Sequence, residues 1–253
     1  MIQILKKIVE KAVPIKQQLR LRYLHAKTFK KLDEEMVYVT KLLQKKRRFL
    51  DIGANMGIYS FYFNNTFENI NAFEPLAEVT NRLEVLQSAS LTVHNVALSN
   101  KKGALEFYIP SINGELIPSL ASLEKRDVSN EERIEERIID VDTVDNYGFD
   151  DVDLIKIDVE GHEQFVILGA IETIKKTNPV LIVEIEQRHI NTDINEVFQT
   201  ILNLGYNGFF LNNGSLMSLE NFSYELNQMP FLQDVMAKEY VNNFIFTPIQ
   251  SPK

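Results

Sequence analysis

Cysteine is absent from this 253-residue chain, which excludes disulfides, thiolate metal sites and cysteine nucleophiles together and fits a reducing compartment. No apolar run approaches the roughly 20 residues needed to cross a bilayer. The opening MIQILKKIVEKAVP interleaves lysines with apolar residues where a signal peptide carries a continuous apolar core and a small-residue cleavage site. The expectation is a cytoplasmic protein. G-x-S-x-G, Walker A and H-E-x-x-H are also missing, which removes three common hydrolase or phosphotransfer chemistries. A net charge of −8 argues against general nucleic-acid affinity. That charge is unevenly spread: residues 1–48 hold 14 Lys and Arg against 4 Asp and Glu, and the remainder holds 13 against 31. A basic amphipathic head suits a peripheral contact with an anionic membrane at its inner face, or with an acidic partner. The alternative is that Ile4, Leu5, Ile8, Val9 and Ala12 pack on the domain while the lysines face water.

Forty-five per cent hydrophobic residues over this length suffice for one substantial core. Residues 1–45 read as a helical extension interrupted near Pro14, and residues 46–253 as one domain. From Arg47 the pattern becomes RRFLDIG, NINAFEP, LTVHNVALS, DLIKIDVEG and PVLIVEIEQ, short runs suited to strands buried on both faces of a mostly parallel sheet. Between them lie helical segments: IYSFYFNN, LAEVTNRLEVLQS, and HEQFVILGAIETIKK with Phe165, Leu168, Ile171 and Ile174 on one stripe. The succession predicts a doubly wound α/β fold. Residues 110–138 predict a loop leading to a polar helix, of a length common in lids and binding segments. GYNGFFLNNG and VNNFIFTP predict antiparallel strands closing the sheet edge.

Chemistry concentrates first in FLDIGANMGIYSF, a strand running into a glycine turn that opens a helix. Gly53 permits backbone conformations closed to other residues and lets a ligand approach the main chain. The helix start offers unpaired N–H groups to an anionic group, and Glu74, at the tip of the next strand, can accept hydrogen bonds from both hydroxyls of a ribose. A dinucleotide fingerprint needs a second glycine two residues on, to make room for pyrophosphate; Asn55 stands there instead. Asn55 and the helix start suit an amino-acid head, with Asp51 poised to meet its ammonium. An α-amino acid joined to adenosine is S-adenosylmethionine.

A second cluster, LIKIDVEGHE, gathers Lys156, Asp158, Glu160, His162 and Glu163 at the end of a central strand, where ligands of open α/β sheets collect. His162 is the candidate general base, since a histidine imidazole can take up a proton around neutrality, and Asp158 or Glu160 can orient it or hold a substrate hydroxyl. The competing explanation is that Asp158 and Glu160 cap the following helix and that His162 is simply exposed. A metal held by Asp158, Glu160, His162 and Glu184 matches no recognised ligand spacing, and His25, His94 and His189 read as structural or solvent-facing.

Together FLDIGANMGIYS, AFEP, VHNVALS with Gly103, VDTVDNY, LIKIDVEGHE with LGA, PVLIVEIE and NNFIFTP resemble the FkbM-type S-adenosylmethionine-dependent methyltransferases. The resemblance implies a Rossmann-like class I methyltransferase fold with seven strands, and methyl transfer to an oxygen, usually of a sugar or secondary-metabolite hydroxyl. By position it places Asp51, Gly53, Asn55 and Gly57 around the methionine part, Glu74 on the ribose, and Asn95 to Ala97 on the adenine. Asp158, Glu160 and His162 would face the methyl group and a small-molecule or glycan acceptor, and Ser119 and Ser122 resemble a serine patch of the family's lid. Two other functions compete: a dinucleotide-dependent oxidoreductase, and a non-catalytic cofactor-binding scaffold docked through the basic head.

Overall fold

The computed structural model describes residues 14–28, 33–84, 88–112, 114–125 and 132–249. The apolar head positions Ile4 to Ala12 lie outside them. Among the described residues two helices come first, α1 (Ile15–Thr28) and α2 (Glu34–Leu42). The central sheet takes β1 (Arg48–Ile52), β2 (Asn69–Phe73), β3 (Leu91–His94), β8 (Val152–Ile157), β9 (Val180–Glu184), β10 (Tyr206–Asn212), β11 (Ser215–Ser218) and β12 (Asn243–Pro248). Their order is β11-β10-β12-β9-β8-β1-β2-β3. The run from β3 to β9 is parallel; β12 is antiparallel to both of its neighbours, and β11 folds back on β10. A second, smaller sheet takes β4 (Ala97–Leu98), β5 (Gly103–Ile112), β6 (Glu115–Leu116) and β7 (Glu132–Asp142), in the order β4-β7-β5-β6.

Alternation along the strands explains why the apolar runs of the central sheet are continuous. Leu50, Ile52, Ile155, Ile157, Leu181, Val183, Phe244 and Phe246 enter one core, and Phe49, Ile70, Ala72, Leu154, Ile182 and Ile245 enter another on the opposite face. Helix α3 (Ile58–Phe63) covers the second core through Tyr59 and Phe63, together with Met36 and Val39 of α2. Helix α4 (Ala77–Leu83) sends Val79 into a third cluster, with Phe107 and Ile109 of β5. The first core is covered by α5 (Glu163–Leu168), α6 (Ile171–Thr177) and α7 (Ile194–Leu202), through Val166, Ile167, Ile174, Val197 and Ile201. Part of the segment before residue 46 is therefore built into the core.

The structure amends several expectations. The sheet has an eighth strand, β11, and VNNFIFTP is not an edge: Asn243 to Phe246 are buried between β9 and β10. LTVHNVALS splits, with β3 in the main sheet and β4 in the second. The charged run is strand β7, because the ten-residue antiparallel ladder with β5 overrides its local helical preference. The long helix over 162–176 breaks at Gly169, where an added Cβ would lie 2.0 Å from the Ser99 carbonyl oxygen. As a result Phe165 and Leu168 face outward while Val166, Ile167 and Ala170 are buried.

From β1 the chain passes to β2 on one side, and β8 later joins β1 on the other. Such a switch point opens a crevice at the carboxyl ends of the strands. Over it lies the edge of the second sheet: β5, β6 and the segment 117–124, drawn back by the Tyr108–Ser122 bridge.

Candidate active site

The turn after β1 is shaped by two neighbouring strands. Gly53 has φ 75°, and a Cβ there would sit 1.8 Å from the Asp158 carbonyl oxygen. Its bare backbone lets β1 and β8 converge before any ligand is considered. Gly53 and Ala54 both donate to the Phe73 carbonyl at 3.0 Å, which staples the turn to β2. Asn55, at φ 46°, and Gly57, at φ 75°, complete the left-handed path into α3.

Glu74 closes this turn. Its Oε2 accepts from the Asn55 N–H and its Oε1 from the Leu76 N–H, each at 3.0 Å. The side chain is nearly buried, and that burial pushes its pKa up to about 7 despite the two donors. Gly53, Asn55 and Glu74 line one cleft at the carboxyl ends of the strands. Opposite them are Val96, Ala97 and Leu98, and the roof consists of Phe107, Pro118, Ser119, Ala121 and Leu123. A flat apolar slot beside a carboxylate suits a base and its ribose.

Three expected cofactor residues stand outside the cleft lining. Asp51 lies behind the turn, where its Oδ2 accepts from the Ser60 N–H at 3.0 Å and the Ser60 hydroxyl at 2.6 Å. Burial raises its pKa to about 6, with Ser60 and Lys156 opposing the shift. It ties β1 to α3, a role the helix's open N–H groups invite. Asn95 donates to the Glu74 and Pro75 carbonyls at 3.2 and 2.9 Å and to the Thr80 hydroxyl at 3.0 Å. It thereby holds the turn that carries Glu74 and leaves the wall to Ala97. Gly57 serves the backbone as the left-handed residue before α3.

The lining also holds ionisable side chains: the carboxyls of Asp158 and Glu160 and the imidazole of His162. Behind Asp158 lies Lys156, fully buried, with Nζ 3.8 Å from Asp158 Oδ2, 3.6 Å from Glu184 Oε2 and 3.1 Å from Asn243 Oδ1. Burial raises both carboxyls above their ordinary values, while Lys156 pulls each back. One ammonium thus serves two carboxylates, a strained arrangement typical of functional clefts.

His162 sits between the roof segment and the core. Its Nε2 lies 2.9 Å from the Ser99 hydroxyl and its Nδ1 2.7 Å from Glu124 Oε1, with the ring stacked on Phe165 at 4.6 Å. Both nitrogens are engaged and the residue is buried, so it latches the roof segment to the core. Ser122 is a second latch, its hydroxyl donating to the Glu160 carbonyl at 2.7 Å. Sequence reasoning gives no role to Ser99, the last residue of VHNVALS, or to Glu124, and undervalues His189, which pairs with Glu160 at 2.8 Å. Its position just past β9, among the strand ends where sites gather, is the available signal.

Comparisons with known proteins agree with this geometry. A family model described as the methyltransferase FkbM domain matches residues 51–207. Among solved structures, one titled methyltransferase FkbM from Methylobacillus flagellatus KT superposes with a TM-score of 0.50 at 18% identity. The match covers 79% of this chain and 43% of that one, so the present chain spans less than half of that protein. An rRNA methylase from Streptococcus thermophilus gives a TM-score of 0.46 at 11% identity, covering 86% and 95% of the two chains. No curated protein sequence matches.

Proposed function

The chain belongs to the FkbM methyltransferase family, and from that premise we propose that it transfers a methyl group from S-adenosylmethionine to a hydroxyl oxygen of a sugar or glycan precursor. S-adenosylmethionine is its cofactor, and when bound it supplies a methyl group activated by a positively charged sulfur. The residues present fit that molecule. Glu74 retains lone pairs for ribose hydroxyls, Ala97 and Leu98 offer an apolar seat for the base, and the open backbone at Gly53 with Asp158 suits an amino-acid head. Asp158 takes the place expected of Asp51 at the ammonium.

The observation that carries the hydroxyl reading is the shared wall. Asp158 and Glu160 line the same cleft as the cofactor residues, and carboxylates accept hydrogen bonds from the hydroxyls of a polyol. Holding the acceptor oxygen in line and excluding water supplies most of what such a transfer requires. A carboxylate that takes the hydroxyl proton as the new bond forms adds about 10²- to 10⁴-fold. Calorimetry should give binding of S-adenosylhomocysteine and none of NAD. Mass spectrometry of glycans from cells with and without the protein should then differ by one methyl group. Homocysteine-nucleoside binding with no methylated product would favour the scaffold reading, which also requires that removal of residues 1–40 abolish localisation. The basic head supports, within this proposal, a peripheral contact with an anionic membrane; no described helix is long and apolar enough to cross one.

A further inference from the structure

Four non-glycine residues have positive φ among the described residues: Asn55, Asn178, Asn213 and Glu160. Asparagine tolerates this region through its short polar side chain, whereas glutamate there is strained. Such strain persists where the surroundings enforce it, and here they do. Ser122 donates to the Glu160 carbonyl, and Glu163 Oε1 accepts the Gly161 N–H at 2.9 Å. Gly161 lets the turn after β9 press against this loop, since a Cβ there would lie 2.2 Å from the His189 carbonyl oxygen.

This close approach brings two side chains together. Buried His189 places Nδ1 2.8 Å from Glu160 Oε2 and 3.8 Å from Glu186 Oε1. Glu186 is already satisfied by Arg188, at 2.6 and 3.1 Å, and by the Tyr240 hydroxyl. The near partner of Nδ1 is therefore Glu160, which lines the cleft.

We propose that His189 is a positioning residue for methyl transfer: its Nδ1–H donates to Glu160 and aims that carboxylate as the base for the acceptor hydroxyl. The inference rests on the hydroxyl-methylation reading. In the step, the acceptor oxygen bonds to the methyl carbon as the carbon–sulfur bond breaks. The electron pair leaves on sulfur as a neutral thioether, and the hydroxyl proton passes to Glu160 and then to solvent. Among the described residues, the charged groups facing the pair include Asp158 after β8, Glu163 of α5, Glu184 of β9, and Glu186 and Arg188 from the turn beyond it. A base contributes about 10²-fold or more, so losing its alignment should cost turnover and spare cofactor binding.

Two measurements on the full chain test this. In protein labelled with ¹⁵N-histidine, His189 should show a protonated, hydrogen-bonded Nδ1 that changes in Glu160→Gln; a bare Nδ1 with the proton on Nε2 overturns the proposal. Tritiated S-adenosylmethionine offered with a panel of methyl glycosides gives the kinetic test. His189→Ala should lower kcat about 100-fold and leave S-adenosylhomocysteine affinity within about twofold. His189→Asn, whose amide N–H replaces Nδ1–H, should recover most of the loss. Wild-type turnover in His189→Ala, or no recovery with asparagine, refutes the role. If no glycoside is labelled although S-adenosylhomocysteine binds, the acceptor reading fails, and the tautomer measurement still decides whether His189 holds Glu160.

Discussion

Replacing Gly53 by alanine separates the two demands made on that position. At φ 75° an L-residue costs about 1–2 kcal/mol. The added Cβ, 1.8 Å from the Asp158 carbonyl oxygen and 2.8 Å from its carbon, meets backbone, which cannot rotate aside. Relieving that clash means parting the ends of β1 and β8, and forced overpacking of this kind costs typically about 1–3 kcal/mol. The sum, about 2–5 kcal/mol, is a large share of the roughly 5–15 kcal/mol that holds a domain folded. Two glycines serve as controls. Gly205 has φ 88°, and a Cβ added there meets nothing within 4 Å, so Gly205→Ala carries the conformational part alone. Gly103 has open space and no positive φ, so Gly103→Ala should stay within about 0.5 kcal/mol of the parent. Urea denaturation followed by circular dichroism should rank the midpoints, from highest to lowest, Gly103→Ala, Gly205→Ala, Gly53→Ala. With a slope of about 3 kcal/mol per molar, the last should fall by about 1 M or more. Because the turn also carries the cofactor wall, S-adenosylhomocysteine binding should drop in Gly53→Ala and survive in both controls. A Gly53→Ala protein as stable as Gly205→Ala would refute the claim that strand convergence, rather than backbone conformation, demands glycine there.

Three further outcomes follow from buried ionisable groups. Burial lifts Glu163 to about 7, and its Oε2 is buried without a partner. A carboxyl raised in the fold contributes stability that is present below its unfolded pKa and lost as pH rises toward 7. Glu163→Gln should therefore stabilise the protein at pH 8 by about 1–3 kcal/mol, with the gain shrinking toward pH 5; equal destabilisation at both pH values would contradict this. Glu74, also raised to about 7 by burial, accepts more strongly from ribose hydroxyls when ionised. S-adenosylhomocysteine affinity should accordingly weaken as pH falls below 7, and Glu74→Gln should cost about tenfold or more with little pH dependence left. His162→Ala removes the link between Ser99 and Glu124. It should weaken cofactor binding by about tenfold and speed amide exchange in residues 117–124. Abolished kcat with unchanged affinity and exchange would restore His162 as a base.

Local pattern along the chain encodes a good part of this protein. Continuous Val, Ile and Leu runs specify strands covered on both faces, and their alternation with helices specifies a doubly wound sheet. Gly53 and Asn55, with Glu74 beyond them, mark one end of the crevice, because a left-handed turn at a strand tip has few residue solutions. Asn55 in place of glycine points away from dinucleotides for the same steric reason. Whatever depends on which surfaces meet was settled only in three dimensions. The charged 132–142 segment is a strand because β5 is there to pair with it, and β12 sits inside the sheet because both its faces are apolar. Asp51, expected at the cofactor's ammonium, and His162, expected as a base, find partners that no local pattern announces, Ser60 for the one and Ser99 and Glu124 for the other. His189 carries no motif and gains its place beside Glu160 from the contact of two loops some 30 residues apart in sequence. Side-chain partnership across such a distance is fixed by packing and close approach, quantities that no one-dimensional spacing contains.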